Sequence, residues 1–179
     1  MKKIVFFIIM ILLPISVHAD NILDDYSVDI KMNGKEIHII EKFKVIENDD
    51  NNSNFSKKML ATENNLKLNN CNINNYKLLY ELAYNPYVIG NIEKNKEYLI
   101  EYTISDFTIF GTNAFIFNSP EDTIINHLTF RVEYNDNLAD VSIWDHQGEK
   151  YEVITDGNII TGILTEPTDN ARFDIFLYK

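Results

Sequence analysis

The sequence predicts an all-β protein, an antiparallel β-sandwich of about eight to ten strands with an Asn-rich loop excursion. Three observations predict it. Apolar residues recur at every second position in one segment after another, the period that sends alternate side chains to opposite faces of a strand. No stretch carries the three-and-four spacing of an amphipathic helix. Between the alternating runs stand turn pairs, Asn33-Gly34 and Asp156-Gly157 above all, whose chemistry lets two strands fold back on each other.

The β pattern begins after a leader. Lys2 and Lys3, the apolar run Ile4 to Leu13, the spacer Pro14 to Ser16 and the small-residue exit Val17-His18-Ala19 have the three-part layout of a secretory signal, with cleavage after Ala19. The apolar run is shorter than the ~20 residues that span a bilayer, and no cysteine adjoins the exit to take a lipid. The expected division is therefore a signal peptide at 1–19 and a single extracytoplasmic domain at 20–179, periplasmic or secreted, a length that suits one core.

Tyr26, Val28, Ile30 and Met32 alternate with Ser27, Asp29 and Lys31, and Asn33-Gly34 turns the chain into a second arm over the rest of 26–46. That arm puts Ile37, Ile39, Phe43 and Val45 on one face together with Glu41, and His38, Lys42 and Lys44 on the other. From Glu47 to Asn75 the chain is rich in Asn, which favours turns and left-handed backbone. This stretch reads as a long excursion holding at most a short strand at Leu66 to Leu68 or a helical turn at Lys57 to Thr62. An apolar stretch follows at Tyr76 to Tyr84. Tyr98, Ile100, Tyr102 and Ile104, and later Leu128, Phe130, Val132 and Tyr134, read as core-lining strands. Phe107 to Phe117 is too aromatic to be exposed on both sides and holds a turn at Gly111-Thr112-Asn113. Further strands are expected at Ala139 to Trp144, Tyr151 to Thr155, Asn158 to Leu164 and Arg172 to Tyr178.

Composition narrows the function. Without the two leader lysines, 14 basic residues face 27 acidic ones, a charge of −13. Phosphate backbones and anionic lipid repel such a chain unless it carries a basic patch. The runs Lys42 to Lys44 and Lys57-Lys58 are short and read as solvated faces, so no nucleic-acid partner is expected. Cys71 is the single cysteine, which excludes an intrachain disulfide. Its Asn-rich surroundings offer neither the base nor the positive setting of a nucleophile.

Several segments together resemble the bacterial family called domain of unknown function 2207. They are the Tyr26 to Ile30 strand with the Asn33-Gly34 turn and the Ile39 to Phe43 arm, then Val88-Ile89-Gly90 with Glu97 to Tyr102, then Phe115 to Asn118, and finally Leu164 to Pro167 leading to Phe176. The resemblance implies the extracytoplasmic β-domain that begins those predicted membrane proteins, here without their membrane segments. An arginine and proline motif expected after the first hairpin is missing. The family brings no known reaction and no catalytic residues.

Glu41 is the most conspicuous ionisable residue, since a carboxylate on an apolar strand face is costly to bury unless it is paired. A structural role is expected for it, accepting hydrogen bonds from backbone or from some of the ten tyrosines. Asp49 to Asn54 offer calcium-type oxygens without the central Gly and terminal Glu of an EF-hand, and read as a solvated loop. His38, His127 and His146 lack zinc-site spacing. No metal, cofactor or catalytic residue is expected. One binding patch is: Trp144, Asp145 and His146 place an aromatic, an acid and an imidazole at a strand end. Alternation from Val141 and Ile143 turns Trp144 away from the core, where an aromatic ring can anchor a contact.

These readings describe an acidic binding or structural module of the cell envelope rather than an enzyme. It would present a sheet edge or an aromatic surface to an envelope protein or polymer. Two rivals carry their own signatures. A carrier of an apolar ligand requires an enclosed cavity between the sheets. A hydrolase using Glu41 requires a second carboxylate converging on it.

Overall fold

The computed structural model describes residues 21–48, 52–59, 61–62, 64–80, 85–106, 108–109, 112–135, 140–145, 151–164, 166–169 and 171–178. Among them are fifteen strands and no helix. The largest sheet runs in the order β13 (Tyr151–Asp156), β14 (Ile159–Leu164), β11 (Leu128–Tyr134), β1 (Asn21–Asn33), β2 (Glu36–Asn48), β7 (Glu97–Ser105) and β4 (Leu66–Cys71), with the short β10 (Thr123–Ile125) also beside β1. A second sheet has the order β12 (Asp140–Asp145), β15 (Arg172–Tyr178), β9 (Thr112–Asn118) and β8 (Thr108–Ile109). A third is β3 (Asn52–Lys58), β6 (Tyr87–Glu93) and β5 (Asn74–Leu79).

Alternation builds the core as expected. Val28, Ile30 and Met32 on β1, Ile37, Ile39, Phe43 and Val45 on β2, Tyr98 to Ile104 at every second position on β7, and Leu128, Phe130 and Val132 on β11 are all buried. The large sheet forms one layer, and the two smaller sheets cover its inner face as the other. Aromatic rings join the layers: Phe43 stacks on Phe55 of β3 at 5.3 Å, Tyr26 meets Phe117 of β9 edge-on at 5.8 Å, and Phe130 stacks on Phe173 of β15 at 4.3 Å. Stacked and edge-on rings at these separations are favourable beyond the area they bury.

Both expected hairpins are present, with each loop starting one residue later than an Asn-Gly or Asp-Gly loop would place it. Asn33 pairs with Glu36 and Asp156 with Ile159, so the two-residue loops are Gly34-Lys35 and Gly157-Asn158. Gly34 at φ 62 and Gly157 at φ 58 take the first loop position, where a left-handed residue suits the twist of the flanking strands.

Three expectations are corrected. The large sheet is mixed rather than antiparallel, because β1 runs parallel to β11 from Tyr26↔Leu128 to Met32↔Tyr134. Turn signals report only strands joined locally, and these two are far apart in the chain. The Asn-rich stretch is not an excursion: it supplies β3 and β4 and opens β5, which raises the strand count above the expected range. Its asparagines serve as sheet-edge donors and acceptors, Asn72 Oδ1 taking the Leu99 N–H and Asn69 Nδ2 donating to Thr103 Oγ1. Pairing here overrides a low intrinsic strand preference. Lastly, Lys57 lies in β3, not in a helical turn, and it is not on a solvated face.

Candidate functional site

The most unusual chemistry lies inside the sandwich. The parity of β2 aims Glu41 inward, and the parity of β3, with Ser53, Phe55 and Lys57 buried in turn, aims Lys57 at it. Lys57 Nζ stands 3.2 Å from Glu41 Oε2, with side-chain exposures of 2% and 0%. The Tyr26 hydroxyl donates to Oε2 at 2.5 Å and the Tyr102 hydroxyl to Oε1 at 2.7 Å. Lys57 Nζ also donates to the Asn118 carbonyl at 2.5 Å and lies 4.3 Å from the centre of the Phe117 ring.

The titration behaviour follows from this geometry. Burial pushes the Tyr26 and Tyr102 hydroxyls well above the usual tyrosine range, and the adjacent Glu41 charge adds to it. Burial likewise pulls the Lys57 ammonium down, against the pull of Glu41 that holds its proton. Each group serves another, so the carboxylate accepts tyrosine hydrogen bonds as the sequence predicts. Lys57 was missed, although Ser53, Phe55, Lys57 and Met59 share one parity with two large apolar residues among them.

The Trp144-Asp145-His146 patch falls partly outside the described residues. Trp144 and Asp145 end β12, the outer strand of its sheet among the described residues, with Trp144 across from Asp174 and Asp145 across from Phe173. Their side chains and His146 lie outside the described residues, as do Asp49 to Asn51 of the calcium-like segment. Asn52, Ser53 and Asn54 belong to β3 rather than to a loop.

Among the described residues, His38 and His127 each contact a carboxylate. His38 meets Glu101 at 2.9 Å, and His127 Nδ1 meets Asp24 Oδ1 at 2.5 Å. Asp25 completes a group of three potential metal ligands with that second pair, but His127 is largely exposed and Asp24 Oδ1 is already taken by it. Cys71 is half-buried, and burial pushes its thiol up, away from the reactive thiolate. An open groove of about 450 Å³ across β1, β2 and β7 is lined by Lys42, Lys44, Glu97 and Asn72 together with Phe43 and Tyr98. Its walls carry both signs of charge.

The clearest exposed feature is the end strand β13. It pairs only with β14 among the described residues, so one row of its backbone N–H and C=O groups points outward. Val153 is 47% exposed, Ile154 65% and Ile163 of β14 40%. Ile154 lies across from Thr161 and Glu152 across from Ile163, which puts Ile154 and Ile163 on one face, while Val153 takes the other beside Gly162. Natural edges usually blunt such a template with charge, proline or a covering loop. The adjacent apolar pair Val153-Ile154 was a readable signal, since two neighbours in a strand cannot both face one core.

No family model matches the chain, and no curated protein does. Among solved structures, the crystal structure of a "putative protease" from Parabacteroides distasonis has a similar fold, with a TM-score of 0.50 at 8% identity over 89% of this chain. The chain spans 40% of the length of that protein. At this identity the likeness is one of fold alone.

Proposed function

We propose that the chain is a secreted or periplasmic β-sandwich module of the cell envelope that binds another envelope protein through the β13 edge of its large sheet, which is open among the described residues. The observation that carries this reading is β13, an end strand with outward main-chain groups and Val153 and Ile154 exposed on its two faces. Such an edge can take up an extended segment of a partner by main-chain hydrogen bonds, with the alternate side chains adding selectivity. The leader at residues 1–19 supports the compartment, and β1 starts two residues after the expected cleavage point. The resemblance to the domain of unknown function 2207 family belongs to the same reading.

Its test is crosslinking in intact cells. A photoreactive side chain at position 154 is compared with one at Lys35, in the β1–β2 turn three strands away from β13 in the sheet order, and with one at Trp144. Capture of one discrete envelope protein from position 154, lost when a proline replaces Val153, supports binding at this edge. Capture from position 144 alone moves the surface to β12. Equal capture from all three positions, or none from any, overturns the reading.

A further inference from the structure

We propose that Lys57 and Glu41 condense to an amide, a covalent staple between β2 and β3 inside the sandwich. A nucleophile and an acyl carbon are already held together: Nζ lies 3.2 Å from Oε2 of the carboxyl group, and both side chains are sealed from solvent. Contact of this kind replaces a bimolecular encounter by an intramolecular one, for which effective concentrations are very large. Water, which drives such amides back to acid and amine in solution, has no access at 2% and 0% exposure.

Burial also removes the obstacle that solvation places in the way. In water an ammonium and a carboxylate are stabilised as ions, but in an apolar interior the charged pair loses that hydration. Desolvation lowers the proton affinity of Lys57, so a proton can cross the ion pair to leave a neutral amine and a neutral acid. The Nζ lone pair then attacks Cδ of Glu41, and the C=O electron pair moves onto Oε1, where the Tyr102 hydroxyl at 2.7 Å is placed to stabilise the oxyanion. When the carbonyl re-forms, Oε2 departs from its contact with the Tyr26 hydroxyl. Of the three protons on the Nζ ammonium, two leave with Oε2 as water and one stays on the amide nitrogen. The Asn118 carbonyl that now accepts from Nζ can keep that last hydrogen bond. Nothing is oxidised or reduced, and no further reactant is needed.

The staple suits a chain whose single cysteine denies it an intrachain disulfide, and it would form whether or not β13 binds a partner. The test is the intact mass of the folded full-length chain, with any leader cleavage read from the terminal peptides. The expected result is a mass lower by one water than the sequence requires, and a branched peptide joining Lys57 to Glu41 after digestion. Lys57→Arg should restore the unreduced mass, and Tyr102→Phe should leave a larger unlinked fraction at equal times after refolding. A folded wild-type chain of full mass, with Lys57 and Glu41 on separate peptides, overturns the proposal. So does a lost water that maps to a succinimide at Asp156-Gly157.

Discussion

Glu41 and Lys57 come from different sheets and meet at 3.2 Å, where neither side chain shows more than 2% of its surface. Deleting one partner strands the other in an apolar interior, which typically costs about 3–5 kcal/mol. Measured against a chain in which the pair is still ionic, Glu41→Leu and Lys57→Met are each expected to lower the unfolding free energy by that amount in urea titrations. The double variant leaves no lone charge and should recover more than half of the loss.

The two tyrosines that donate to Glu41 set an alkaline limit. Their hydroxyls hold protons in the folded chain well above 10.0, the value expected when they are free. Above that pH the unfolded chain has released protons that the folded chain still binds, so stability falls as pH rises. The slope should approach about 2.7 kcal/mol per pH unit for the pair. In the unlinked chain Lys57 works in the opposite sense only below 10.5, where its unfolded form is still protonated. Urea midpoints across this range should fall less steeply for Tyr26→Phe and Tyr102→Phe.

Gly162 is where β14 lets the aromatic row pass. A Cβ at this position would lie 2.0 Å from Cζ of Phe130, whose ring stacks on Phe173 at 4.3 Å. Gly162→Ala should therefore cost about 1–3 kcal/mol by overpacking, read as a lower melting temperature. Adding Phe130→Leu, which empties the space the methyl needs, should cost less than the sum of the two single changes.

At the β13 edge the expectation reverses. Ile154 is 65% exposed and makes no core contribution, so Ile154→Lys should change stability by no more than about 0.5 kcal/mol. In sedimentation at high concentration the charged variant should self-associate less than wild type, because edge charge opposes strand-to-strand pairing.

Local pattern made part of this molecule readable. The β1–β2 hairpin, the inward parity of Glu41 and the β13–β14 hairpin follow from alternation and from Gly34 and Gly157. Two kinds of information were hidden. The parallel pairing of Tyr26 with Leu128 is a relation between distant segments that no window of sequence contains. The strand character of Asn52 to Lys58 comes from its partner β6 and outweighs the turn preference of its asparagines. Lys57 was obscured for the same reason: its parity has meaning only once that segment is a strand. The exposed Val153-Ile154 pair needed the sheet order to show that β13 lies at an end.

The parallel neighbour of β1 also bears on how fast the chain can fold. β1 lies in the middle of the largest sheet, between β2, which follows at once, and β11, which is made about a hundred residues later. Long sequence separation between paired strands slows folding, because loop-closure entropy is lost before the contacts compensate it. A chain that emerges N-terminus first therefore exposes one flank of its hydrophobic central strand until most of its length has followed. The β1–β2 hairpin can form early, but completing the sheet waits for residues beyond 128, and an interrupted synthesis leaves an open, sticky intermediate.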